Sequence, residues 1–101
     1  MSVAFLIQRK IAPIVFPVTT EQEFCEWVGG AVPGSWCRYH RGFLMIDTEV
    51  GAVRAKAILR RLRDRVWLAY ELGQVLLVQR RVGENTFDYL AVSTSKAGRR
   101  H

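Results

Sequence analysis

The stretch Gln74–Thr94, QVLLVQRRVGENTFDYLAVST, decides how the rest of the chain is read. Two runs of β-branched and aromatic residues flank GEN, where Gly83 and Asn85 tolerate positive φ. The segment predicts a β-hairpin with Arg80 and Arg81 just before its tip. Immediately upstream, Glu49–Leu72 contains no proline, and no glycine after Gly51. At the helical period of about 3.6 residues, Ala55, Leu59, Leu62, Val66 and Ala69 form one apolar stripe, flanked by Ile58 and Tyr70. Gly73 then stops the helix. The pattern fits one helix of about seven turns, or two helices with a tight turn near residues 56–59.

Working back towards the N-terminus, SWCRYHRGFLMI (residues 35–46) reads as a strand. Cys37, Tyr39, Arg41, Phe43 and Met45 alternate onto one face, and Trp36, Arg38, His40, Leu44 and Ile46 onto the other. Gly42 marks a bulge or a close backbone contact, and Asp47 or Thr48 is placed to cap the helix that follows. TTEQEFCEWVGG (residues 19–30) carries both ends of a helix. Thr20 and Glu23 fit a capping box, Phe24, Trp27 and Val28 share a face, and Gly29-Gly30 ends the helix. Pro33-Gly34 predicts a turn. At least one of residues 3–7 and 14–18 should be a short edge strand, because Pro13 and Pro17 bound them and proline cannot donate to a ladder.

The chain has 101 residues and a formal charge of +6, and the excess is one-sided. Residues 1–47 carry four basic and four acidic side chains, whereas residues 48–101 carry eleven and five. A one-sided positive field draws polyanions. Six of the twelve residues in RAKAILRRLRDR (54–65) are basic, with only Asp64 among them. Arg54, Arg61 and Arg65 run along one side of the apolar stripe, and Lys56, Arg60 and Arg63 along the other. Arginine offers forked donors for phosphate and can read guanine. Long basic stems that cover the edges of the core and keep the domain soluble are the plainer alternative. The crowding of six cations favours a binding face.

The order helix, strand, helical region, hairpin is that of a winged-helix domain. YHRGFL (39–44) and LGQVLLVQRRVGENTFDYLAV (72–92) resemble segments of small proteins encoded by bacterial phages and prophages, over about a third of the chain. The winged-helix resemblance implies a recognition helix in the second half of residues 48–72 and phosphate contacts from Arg80 and Arg81 on the wing. The chain departs from that pattern by lacking a clear turn residue between the two helices.

No enzyme constellation stands out, and the chain is read as non-enzymatic. It has no phosphate-cradling glycine loop, no nucleophile-elbow motif and no spaced metal-ligand set. His40, amid Arg38, Tyr39 and Arg41, could be the acid/base of a small ribonuclease. An ordinary strand histidine is the better account, since no second acid or base is evident. Ser35 and Cys37 are weaker candidates as nucleophiles. Cys25 and Cys37 lack metal-site spacing and read as small thiols in a reducing cytoplasm. Gln8, Arg9 and Lys10 split the apolar N-terminus, so neither a membrane span nor a signal peptide is expected. Trp27, Trp36 and Tyr70 are assigned to the core, whereas Trp67 projects on the polar side as an interface anchor.

The sequence therefore points to an α+β domain of winged-helix type over residues 1–94, followed by a basic flexible tail at 95–101. No cofactor or metal is expected. Duplex DNA is the first partner, met by Arg54, Lys56, Arg60, Arg61, Arg63 and Arg65, by Arg80 and Arg81, and by Lys96, Arg99 and Arg100 in the tail. The runner-up is a phage- or prophage-encoded inhibitor of a host complex, in which an acidic protein meets the same cations and Trp67. A homodimer through an exposed β edge or the apolar N-terminal segment is compatible with either.

Overall fold

The computed structural model describes residues 14–97. The run at 3–7, and Arg99 and Arg100, lie outside the described residues. The described chain is α+β, in the order β1 (Val15–Pro17), α1 (Glu21–Gly30), β2 (Trp36–Gly42), α2 (Leu44–Asp47), α3 (Val53–Glu71), β3 (Val75–Gly83) and β4 (Thr86–Ser93). The strands form one sheet in the order β1-β2-β4-β3. β1 runs parallel to β2, with α1 as the crossover, and β4 is antiparallel to both its neighbours. The proline-bounded strand at 15–17 is at the sheet edge, as proline requires.

Helix α1 starts where its capping box predicts. The Glu23 amide donates to Thr20 Oγ1 at 3.1 Å, and Glu23 Oε1 accepts from the Thr20 amide at 3.2 Å and the Thr19 amide at 2.7 Å. These bonds to its ionised form hold the Glu23 carboxyl below the usual range, that of the Thr19 amide contributing most. Phe24 and Val28 are buried and Trp27 packs against them. Residues 53–71 form one continuous helix, which settles the alternative left open by periodicity. Leu62, Val66 and Ala69 are buried against Cys37 and Tyr39 of β2, Val75 of β3, and Tyr89 and Ala91 of β4. Both long helices therefore lie on one face of the sheet, and their apolar stripes close the core. Ala55, counted in that stripe, is exposed because the first turn of α3 overhangs the core.

Three local expectations are corrected. The strand expected through Ile46 ends at Gly42, where φ is +144° and a side chain would collide with the Asp47 carboxylate. Asp47 and Thr48 do not cap α3, whose N-cap is Ala52 with no side-chain bond. They belong to the four-residue helix α2 instead: Asp47 Oδ2 accepts from the Phe43 amide at 3.0 Å, and Thr48 Oγ1 donates to the Leu44 carbonyl. Tyr70 is exposed, stacked on Trp67 with ring centroids 5.1 Å apart. At the other end, residues 95–97 turn back so that Ala97 packs on the core.

Leu62→Ala should cost about 3 kcal/mol, since its side chain is fully buried between helix and sheet. Thr20→Ala should cost about 1 kcal/mol through loss of the cap. Urea unfolding of the two variants checks both values and their order.

Candidate nucleic-acid interface

Strand β2 carries one extra residue relative to β4. Arg38 pairs with Leu90, but His40, not Tyr39, pairs with Tyr89, and Arg41 pairs with Asp88. Side chains alternate along a strand, so this bulge exchanges the faces of the residues that follow it. His40 joins the helix-covered face, and Arg41 passes to the opposite one, the reverse of the strict alternation expected from sequence.

The exchange completes a charged row across three strands. Asp88, on central strand β4, is opposite Arg41 on one side and Arg80 on the other. The Asp88 side chain is 1% exposed. It accepts two bonds from Arg41, Nε to Oδ1 at 2.6 Å and Nη2 to Oδ2 at 2.9 Å, and one from Arg80 Nη2 at 3.3 Å. Its carboxyl is pulled from 3.8 down to about 2, first by the Arg41 hydrogen bond, which outweighs the opposing effect of burial. Arg80 adds a further hydrogen bond, and the Arg38 charge acts in the same direction. The Arg41 and Arg80 side chains remain 52% and 53% exposed. One buried carboxylate thus fixes two guanidiniums whose outer edges face solvent, leaving a local excess of positive charge.

The helical cations are arranged differently from the expectation that they form one phosphate face. Arg60 Nε donates to the Thr48 carbonyl at 2.7 Å and its Nη2 to Glu49, while Lys56 Nζ donates to the Glu49 carbonyl. These two fasten the turn after α2. Arg65 lies with its guanidinium 5.9 Å from the Phe24 ring centroid, over the core. Arg63 pairs with Asp64 at 3.1 Å. Arg54 and Arg61 are exposed. In the second half of α3, Asp64, Trp67, Leu68 and Glu71 are exposed too, as is Leu72 at its C-cap, so its solvent side is apolar and acidic as much as basic.

Arg80 and Arg81, expected to act together, point to opposite faces of the hairpin. Arg81 is in register with Phe87, on the helix side, and its Nε donates to the Gly83 carbonyl. Asn85 does take positive φ in the turn, at 52°. Lys96 lies against Gly73. The described residues carry eleven basic and nine acidic side chains, because Arg9, Lys10, Arg99 and Arg100 fall outside them. Arg38 and Arg41 were not among the expected contacts; an acid flanked by basic strands was the available signal, but register was needed to join them.

The arrangement around the other reactive side chains is structural. His40 Nε2 donates to Asp47 Oδ2 at 2.7 Å, and the imidazole packs near the Tyr89 ring, so it holds α2 against the sheet. Burial pushes the Cys37 thiol up to about 12, which keeps it protonated and un-nucleophilic. The Ser35 hydroxyl donates to the Val32 carbonyl. Both cysteines are free. Among the described residues no His, Cys, Asp and Glu side chains group as metal ligands, and no helix is long and apolar enough to cross a membrane. No protein-family model, curated protein or solved structure matches this chain.

The depressed carboxyl of Asp88 makes a signed pH prediction. A folded value below the unfolded one stabilises the protein above the ordinary carboxyl range, and this contribution is lost as pH falls from about 4 to about 2. Asp88→Asn should therefore be less stable than the parent at pH 6, and the gap between them should close towards pH 2. Urea midpoints for both proteins across that range check it.

Proposed function

We propose that this protein is a non-catalytic nucleic-acid-binding module that holds the phosphates of duplex DNA on the sheet face away from the helices, through Arg41 and Arg80 with Arg38 beside them. The carrying observation is the pair of half-exposed guanidiniums fixed on the buried Asp88 carboxylate. Arginine held by one face can still present donors from the other, and the immobilisation that phosphate binding normally demands has already been met in the fold. Arg54 and Arg61 lie in the helical layer, away from this face.

A winged-helix form of the reading is supported by the element order and by a hairpin that carries the half-exposed Arg80. Its recognition helix would be the second half of α3. There the solvent side carries Asp64 and Glu71, with Arg61 one turn before Asp64, so most of the phosphate contact is assigned to β2 and the hairpin. A regulator of phage or prophage origin is the biological form that the resemblance suggests.

Fluorescence anisotropy of a labelled mixed-sequence duplex, titrated at several salt concentrations, tests the proposal. Two or three neutralised phosphates give a slope of log affinity against log salt of about −2 to −3. Arg41→Gln and Arg80→Gln should each flatten that slope by about 1 and weaken binding to any sequence, with Arg61→Gln having the smaller effect. Absence of binding at 50 mM salt, or loss confined to Arg61→Gln, sinks it.

A further inference from the structure

On the helix side of the sheet, away from the arginine row, a cleft of about 490 Å³ lies between the second half of α3 and strand β3. Val66 and Tyr89 form its floor, Arg63, Asp64 and Trp67 its helical wall, and Leu77, Val78 and Gln79 its strand wall. Leu77 and Gln79 are in register with Ala91 and Tyr89 of the covered face, whereas Val78 pairs with Leu90 of the other face. Three consecutive residues of alternating direction can line one cleft only where it borders the strand's backbone edge. The cleft therefore opens at the rim of the sheet.

Among the described residues that rim is unguarded. β3 is the outermost strand, and among the described residues nothing pairs with its outer edge. Its alternate amides and carbonyls point outwards, and Val75–Gln79 contains no charge or proline of the kind that usually blocks an exposed edge. Trp67 is 52% exposed above it and braced by Tyr70. Further along the same face, Arg81 follows Gln79 at the two-residue spacing of a strand, and Arg63 stands on the helical rim.

We infer that this edge is a peptide-binding site, which takes an extended acidic segment of a partner protein as an added strand beside β3. One large apolar side chain of the segment enters the cleft beneath Trp67. Carboxylates two and four residues further on lie beside Arg81. Backbone bonds to the edge supply affinity, and the cleft and Arg81 supply selectivity, as in other modes of strand addition. The apolar walls call for the anchor. Arg81, whose side chain bonds a carbonyl and not a carboxylate, calls for the acidic flank, while Arg63 on the helical rim already faces Asp64. This site is independent of the arginine row on the opposite face, so either can fail without the other.

The test uses a fluorescein-labelled peptide of sequence Thr-Trp-Thr-Glu-Thr-Glu, a second with Lys for Glu, and a third with Pro for the central Thr. Anisotropy with the full chain should rank the acidic peptide first, and the proline form should not bind. Trp67→Ala should weaken the acidic peptide about tenfold. Arg81→Glu should reverse the preference between the acidic and basic peptides. Amide NMR shifts should concentrate in Val75–Arg81 and the Trp67 indole. Equal binding of the proline form, or shifts confined to Arg38, Arg41 and Arg80, overturns the proposal in favour of nonspecific charge attraction. Shifts in β3 that appear on raising protein concentration alone, with a dimer in sedimentation, overturn it in favour of a second copy of this chain. No binding of any peptide at millimolar concentration overturns it outright.

Discussion

The constraint on which most of this structure depends is the ionised Asp88 in the middle of the central strand. A carboxylate with 1% exposure is tolerated only if cations and hydrogen bonds replace the water it has lost. Arg80 is supplied by simple hairpin pairing. Arg41 is supplied only because β2 bulges at Tyr39–His40; with unbroken alternation the residue opposite Asp88 would be His40. The same slip places His40 on the covered face, where Asp47 receives it. Gly42 then leaves the strand with positive φ, since a side chain there would strike that carboxylate. The short α2 follows, and Arg60 takes up the carbonyl at its end. One buried charge is thereby linked, step by step, to the anchoring of the long helix.

This chain of dependence explains why basic residues close together in sequence do different work. Lys56, Arg60 and Arg65 spend their donors or their stems on the domain itself, on backbone carbonyls and the Phe24 ring. Arg41 and Arg80 serve the fold with one edge and remain open at the other. The sheet also separates the two proposed binding surfaces. Its face away from the helices carries fixed positive charge, and its helix side ends in an apolar cleft beside a strand edge that no other described residue pairs with. A phosphate backbone and an extended peptide make different demands, charge in one case and edge hydrogen bonds in the other. The two proposed sites therefore make separate claims.

Much of the local structure was legible because it is encoded within a few residues. Thr20 and Glu23 specify a cap by side-chain reach, Pro33-Gly34 specifies a turn, and Asn85 accepts the left-handed backbone of the hairpin tip. The stripe Leu59-Leu62-Val66-Ala69 follows from helical period alone. The site was less legible. Charge counting singled out the densest basic run, residues 54–65, but density does not reveal which guanidiniums already have partners inside the fold. Arg38 and Arg41 looked like ordinary strand arginines next to a histidine.

By itself, then, the sequence determined the two long helices and the hairpin, the capped start of α1, the stop of α3 at Gly73, and which side of each helix is apolar. These depend on backbone preference and periodicity over about 3 to 20 residues. The end of β2 and the short α2 were not among what it determined. Only the tertiary structure decided the bulge register that sets Arg41 and Arg80 on one carboxylate, the opposed faces of Arg80 and Arg81, and the cleft beside β3. Each of those joins residues from different strands or layers, and a one-residue shift in pairing reverses every side chain beyond it.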